Sequence, residues 1–81
     1  MQNIPNPVIS STRINLNVIE EAATKLVLYN IYGEEVDVLL STDKPGEYNV
    51  EVNAEKLSAG TYFYKLFTQS MILTRKMEVI K

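Results

Sequence analysis

The stretch Glu47-Tyr48-Asn49-Val50-Glu51-Val52-Asn53-Ala54-Glu55-Lys56-Leu57-Ser58-Ala59-Gly60-Thr61-Tyr62-Phe63-Tyr64-Lys65-Leu66 decides the fold. Its first seven residues alternate without a break. Tyr48, Val50 and Val52 point one way; Glu47, Asn49 and Glu51 point the other. A period of two is the strand period, and this pattern describes a strand with one wet face. Asn53 then opens one helical turn, because its short side chain can accept from a free backbone N–H there. Leu57 would plug the end of the core. Ala59-Gly60 turns the chain into a second alternating run with Tyr62, Tyr64 and Leu66 on one face. Gly60 stands at the corner between the two runs, where we expect a backbone conformation unfavourable to other residues. A tyrosine just past such a corner can bond its hydroxyl to backbone a few residues upstream and lock the bend.

The same patterning extends outward in both directions. Arg13-Ile14-Asn15-Leu16-Asn17-Val18 alternates strictly, with Ile14, Leu16 and Val18 on one side. Glu20-Glu21-Ala22-Ala23 breaks the alternation and reads as a hairpin connection. Lys25-Leu26-Val27-Leu28-Tyr29-Asn30 has apolar residues on both faces, which suits a central strand or one partly covered outside. The chain turns over residues 30–33, with Gly33 free to take positive φ. Glu35-Val36-Asp37-Val38-Leu39-Leu40 resumes the alternation through Val36, Val38 and Leu40. Lys44-Pro45-Gly46 is turn chemistry, and Thr68-Gln69-Ser70 is a short hairpin tip. The last strand is expected from Met71 to Ile80, with Met77 and Val79 inward and an irregularity around Arg75-Lys76. The opening Gln2-Asn3-Ile4-Pro5-Asn6-Pro7 is extended, since a residue before proline is pushed out of the helical region, and its prolines suit an edge. Short strands separated by turns every 8–12 residues define an all-β sandwich or small barrel. The corner tyrosine favours an immunoglobulin-like antiparallel sandwich of about seven short strands. Its expected core is Ile14, Leu16, Leu26, Leu28, Val36, Val38, Val50, Val52, Tyr62, Tyr64 and Leu66.

Composition agrees and narrows the function. Val, Ile and Thr supply 21 of 81 residues, with five Tyr and two Phe, a mix suited to pleated, half-buried surfaces. Residues 1–81 read as a single small domain, which hides only about 60–65% of its unfolded surface. Met1 is compatible with a start codon placed on an excised domain. There is no cysteine and no histidine, so thiol catalysis, Ser-His-Asp catalysis and the usual zinc ligands are excluded. A net charge of −2 gives no footprint for nucleic acid. No segment is long and apolar enough to span a bilayer, and the N-terminus lacks the basic and apolar regions of a signal peptide.

Nothing in the residue pattern argues for catalysis. The acidic pairs Glu20-Glu21 and Glu34-Glu35 sit beside turns, and neighbours in a strand point to opposite faces. Asp37 and Asp43 lack calcium-loop spacing. Ser10-Ser11-Thr12 has no base to activate it. Gly33, Gly46 and Gly60 lie in separate turns, which excludes a phosphate loop. Tyr48, Tyr62 and Tyr64 belong to inward faces, leaving Tyr29, Tyr32, Phe63 and Phe67 as candidates for an outer patch. No catalytic residue, metal site or cofactor is expected.

The order of motifs resembles one family. Gln2-Asn3-Ile4-Pro5-Asn6-Pro7 opens the chain and Thr12-x-Ile14 follows. Then come Leu26-Val27-Leu28-Tyr29-Asn30-Ile31-Tyr32-Gly33-Glu34-Glu35-Val36, Leu57-Ser58-Ala59-Gly60-Thr61-Tyr62-Phe63-Tyr64-Lys65-Leu66 and Thr74-Arg75-Lys76-Met77-Glu78-Val79-Ile80-Lys81. Together they resemble the type A C-terminal sorting domain of type IX secretion cargo, over residues 2–81. Pro5, Asn6 and Pro7 match the opening motif, although Val8 stands where the family often has Phe. Gly33 matches the central turn; Gly60, Tyr62 and Lys76 match the terminal motif; Lys81 matches the chain end.

The resemblance implies a non-catalytic address on a protein of a Gram-negative bacterium. The cargo would reach the periplasm by its own signal peptide. The sorting domain would then engage the outer-membrane translocon and a shuttle protein. A sortase would remove it and join the cargo to anionic lipopolysaccharide on the surface, or the cargo would be released outside. The cargo domain and linker are not in this sequence. Lys76 and Lys81 are the candidate recognition residues, since a short final strand could present both to a partner. A monomer is expected, with pairing through an edge strand as the alternative; membrane insertion is not expected. The competing reading is an immunoglobulin-like or fibronectin-like spacer, or a carbohydrate-binding module of a secreted enzyme.

Overall fold

The computed structural model describes residues 11–80. Pro5, Asn6, Pro7 and Lys81 therefore lie outside the described residues. Six strands occupy this span: β1 (Ser11–Val18), β2 (Thr24–Asn30), β3 (Glu35–Thr42), β4 (Gly46–Asn53), β5 (Gly60–Phe67) and β6 (Ile72–Val79). A single 3-10 turn, Ala54–Lys56, separates β4 from β5. The strands form two antiparallel sheets, β1-β4 and β3-β2-β5-β6. The sheets share one core in a sandwich, to which Ile14, Leu16, Val50 and Val52 contribute from one side and Leu26, Leu28, Tyr64 and Met77 from the other.

The alternating runs build this architecture almost everywhere. β1 and β4 pair in unbroken register, Ile14 with Val50 and Leu16 with Tyr48, so their apolar residues line one face together. β2 is central in its sheet, between β3 and β5. That explains its apolar residues on both sides: Leu26 and Leu28 join the core, and Val27, 1% exposed, is covered on the outer face. Asn53 caps the 3-10 turn by accepting from the Glu55 backbone N–H at 3.0 Å, and Leu57 packs against the core.

Three expectations need correction. The segment after β1 is not a hairpin connection, because β1 pairs with β4 while β2 belongs to the other sheet. Residues 19–23 instead carry the chain across the sandwich. Val36 and Val38 are not core residues; they are 41% and 38% exposed. The register of β3 against β2 slips twice, between Leu26 and Val27 and between Leu28 and Tyr29. Each slip places an extra β3 residue opposite β2, and an odd shift exchanges the two faces. Val38 thus lies opposite Val27 on the outer face, while Leu40 lies opposite Leu26. Leu39 and Leu40 supply the core packing instead. Finally, β6 carries no irregularity at Arg75-Lys76: its register with β5 runs unbroken from Gly60↔Val79 to Phe67↔Ile72.

The candidate functional site: a locked corner and a terminal edge strand

The corner before β5 is built as its residues require. The Tyr62 hydroxyl donates to the Ser58 carbonyl at 2.8 Å, and its ring is 9% exposed. Gly60 has φ +146°, a region where a side chain is strained even with open space around it. No atom lies within 4 Å of where its Cβ would stand, so the constraint comes from the backbone alone.

Register carries this corner directly to the terminal strand. Gly60 pairs with Val79, Tyr62 with Met77, and Phe63 with Lys76. Met77 and Val79 are buried at 1% and 3%, so the last strand is bolted to the corner by two apolar side chains. Thr61 adds a hydrogen bond from its hydroxyl to the Glu78 carboxylate at 3.0 Å. On the outer side Lys76 projects into solvent and pairs with Glu78 at 3.2 Å.

Gly33 lies at the same end of the sheet. Asn30 pairs with Tyr62 across β2 and β5, and the turn beyond it brings Gly33 alongside, with φ +82°. Asn30 organises that turn. Its Oδ1 accepts from the Tyr32 and Glu34 backbone N–H groups at 2.9 and 3.0 Å, and its Nδ2 donates to the Glu34 carboxylate at 2.8 Å. The two loops therefore hold Gly33, Gly60 and Tyr62 at one end of the four-stranded sheet, with β6 along its side.

Two side chains escaped the sequence reading. Arg75 lies on the inner side of β6, between Leu73 and Met77, and is half-buried beside Tyr64, its register partner. Counting back by two from Met77 finds it, once β6 is taken as regular. Burial raises the Tyr64 pKa above its ordinary value of 10.0, and the Arg75 charge partly opposes that rise. Lys65 sits with its Nζ 5.2 Å from the centre of the Tyr29 ring. No sequence period marks that contact, which arises because β2 and β5 are neighbours.

Among the described residues, the four-stranded sheet ends in β3 on one side and β6 on the other. The register of β3 against β2 slips twice, whereas that of β6 against β5 is unbroken over eight residues. A regular edge strand offers a row of backbone donors and acceptors to another strand.

The family model of the secretion system C-terminal sorting domain matches residues 3–81. The chain belongs to this family, the C-terminal sorting domains of the type IX secretion system. Membership makes it a sorting signal for type IX secretion, which implies interaction with that machinery and delivery across the outer membrane to the surface or the extracellular space. Neither curated proteins nor solved structures yield a match.

Proposed function

We propose that residues 1–81 act as one non-catalytic address read in the periplasm, after the cargo has crossed the inner membrane on its own signal peptide. The domain engages the outer-membrane translocon and its shuttle protein. A surface sortase then removes it and couples the cargo to lipopolysaccharide. The observation that carries this reading is the family match across residues 3–81. Fusing residues 2–81 behind a periplasmic reporter in a type IX-competent cell tests it. The expected outcome is reporter on the surface, lacking the domain; a reporter retained in the periplasm contradicts the reading.

Within this function we assign docking to the β6 edge, with Lys76 and Lys81 as steering charges and Pro5, Asn6 and Pro7 as the opening motif. Gly33, Gly60 and Tyr62 act by holding the loops at that end of the sheet. The place of β6 at the end of the sheet order, its unbroken register and the exposure of Lys76 support the assignment. Deleting residues 74–81 would remove the strand itself, so it cannot separate folding from docking. Reversing both charges, Lys76→Glu with Lys81→Glu, can. Exposed substitutions usually change stability by no more than about 0.5 kcal/mol. The double variant should fold normally and leave its cargo in the periplasm; a well-folded variant exported at the wild-type level removes the lysines from recognition.

A further inference from the structure

The outer face of the four-stranded sheet has a pattern that the sorting role does not explain. Register places Lys25 opposite Phe67, Val27 opposite Lys65, and Tyr29 opposite Phe63 across β2 and β5. Across β5 and β6, Lys65 lies opposite Thr74 and Phe63 opposite Lys76. Lys25, Lys65 and Lys76 thus occupy successive rows on successive strands, a diagonal of cations crossing the sheet. Diagonal neighbours of this kind stand about 7–8 Å apart. Phe67, Tyr29 and Phe63 fill positions on either side of the diagonal, all half-buried.

The opposite face of the molecule differs. β1 and β4 present Asn15, Asn17, Asn49, Glu47 and Glu51, with Arg13 paired to Glu51 at 3.8 Å. The sandwich is two-faced, and its aromatic side is its cationic side. Acidic residues border that side at Glu35, opposite Tyr29, and at Glu78, which already pairs with Lys76.

We propose that this face is a docking surface for an acidic protein segment in extended conformation. Charge complementarity selects an anion, and spacing selects its form. In an extended chain, alternate residues point the same way about 6.5–7 Å apart. Carboxylates at i, i+2 and i+4 therefore match three lysines stepping by about 7–8 Å. The segment would lie along the diagonal, its carboxylates on Lys25, Lys65 and Lys76 and its aliphatic stems on the flanking rings. The carboxylate meeting Lys76 would compete with Glu78, an exposed pair of the kind that is cheap to exchange. A long polyanion such as nucleic acid is disfavoured, because Glu35 and Glu78 flank the lysines and the chain carries −2 overall. Sugar stacking is disfavoured too: the Lys65 ammonium already stands over the Tyr29 ring, where a sugar would have to lie. This surface shares Lys76 with the β6 edge assigned above, so its test substitutes Lys25 and Lys65 alone, and the inference stands or falls without any export measurement.

The test is a titration of the isotopically labelled 81-residue chain followed by amide chemical shifts. The probe is a synthetic peptide alternating Glu and Thr over eight residues. Controls are a peptide of the same composition with its four Glu in one block, oligothymidylate, and polygalacturonate. The alternating peptide should perturb the amides of Lys25, Val27, Phe63 and Lys65 and bind at least about threefold tighter than the block peptide. Lys25→Gln combined with Lys65→Gln should weaken binding at least about tenfold, with the Tyr62 and Met77 amides unshifted to show that the fold is kept. Perturbations confined to the β1-β4 face overturn the proposal. So does unchanged affinity in the folded double variant, equal binding of the block peptide, or tighter binding of oligothymidylate or polygalacturonate.

Discussion

At the scale of single residues, Gly60, Tyr62 and Tyr64 each do something that one substitution exposes. Gly60 holds φ +146° with open space around it. Gly60→Val should therefore lower stability by at least about 1 kcal/mol through backbone strain, measured as a shift in the urea midpoint at constant m. A wild-type midpoint would mean that the corner relaxes freely. Tyr62→Phe removes the bond to Ser58 while keeping the buried ring, and should cost about 0.5–1.5 kcal/mol, the net value of one hydrogen bond. Tyr64 couples stability to alkaline pH. Its folded-state pKa is raised, chiefly by burial and against the pull of Arg75. Below pH 10 both folded and unfolded chains keep the phenol proton, and stability is unaffected. Above pH 10 the unfolded chain ionises first, so stability falls until the folded-state pKa is passed. The loss of stability above pH 10 should be shallower in Tyr64→Phe than in the wild type; equal slopes would show that this phenol is not the coupled group. The corner was legible in the sequence because a glycine two residues before an inward tyrosine has few other uses. Arg75 was not, since a charge between two apolar positions reads as a break in the strand.

At the scale of elements, legibility depends on register. β1, β4, β5 and β6 pair without slips, so their period of two maps directly onto inside and outside. Ile14, Leu16, Val50, Val52, Tyr62, Tyr64 and Leu66 all fall where alternation puts them. β3 alternates equally well in sequence, but its two bulges exchange the faces. A bulge is a property of the pair of strands, and nothing within β3 alone announces it. The pairing of β1 with β4 was equally out of reach, because a polar connection does not say which sheet the next strand joins. These differences give a paired prediction. Val50→Ala should cost about 1–3 kcal/mol, a lost transfer term plus a cavity. Val38→Thr, on the outer face of an edge strand, should stay within about 0.5 kcal/mol. Equal losses in thermal or urea unfolding would mean that Val38 belongs to the core after all.

At the scale of the whole molecule, a small sandwich without cysteine belongs to a family of sorting signals for type IX secretion. Two turns lie at one end of the four-stranded sheet, and among the described residues β6 is its last strand on one side. The ordered motifs were enough to reach the family. The outer-face lysine diagonal was hidden, because Lys25 is distant in sequence from Lys65 and Lys76 and the line forms only through strand order and register. The central claim is that this domain suffices to route a passenger through the type IX apparatus. The direct measurement is the surface-exposed fraction of a periplasmic reporter fused to residues 2–81, compared in matched cells with and without an intact type IX translocon. The account predicts a reporter reached by external protease only where the translocon is intact. A protected reporter in both strains, or an exposed one in both, would contradict it.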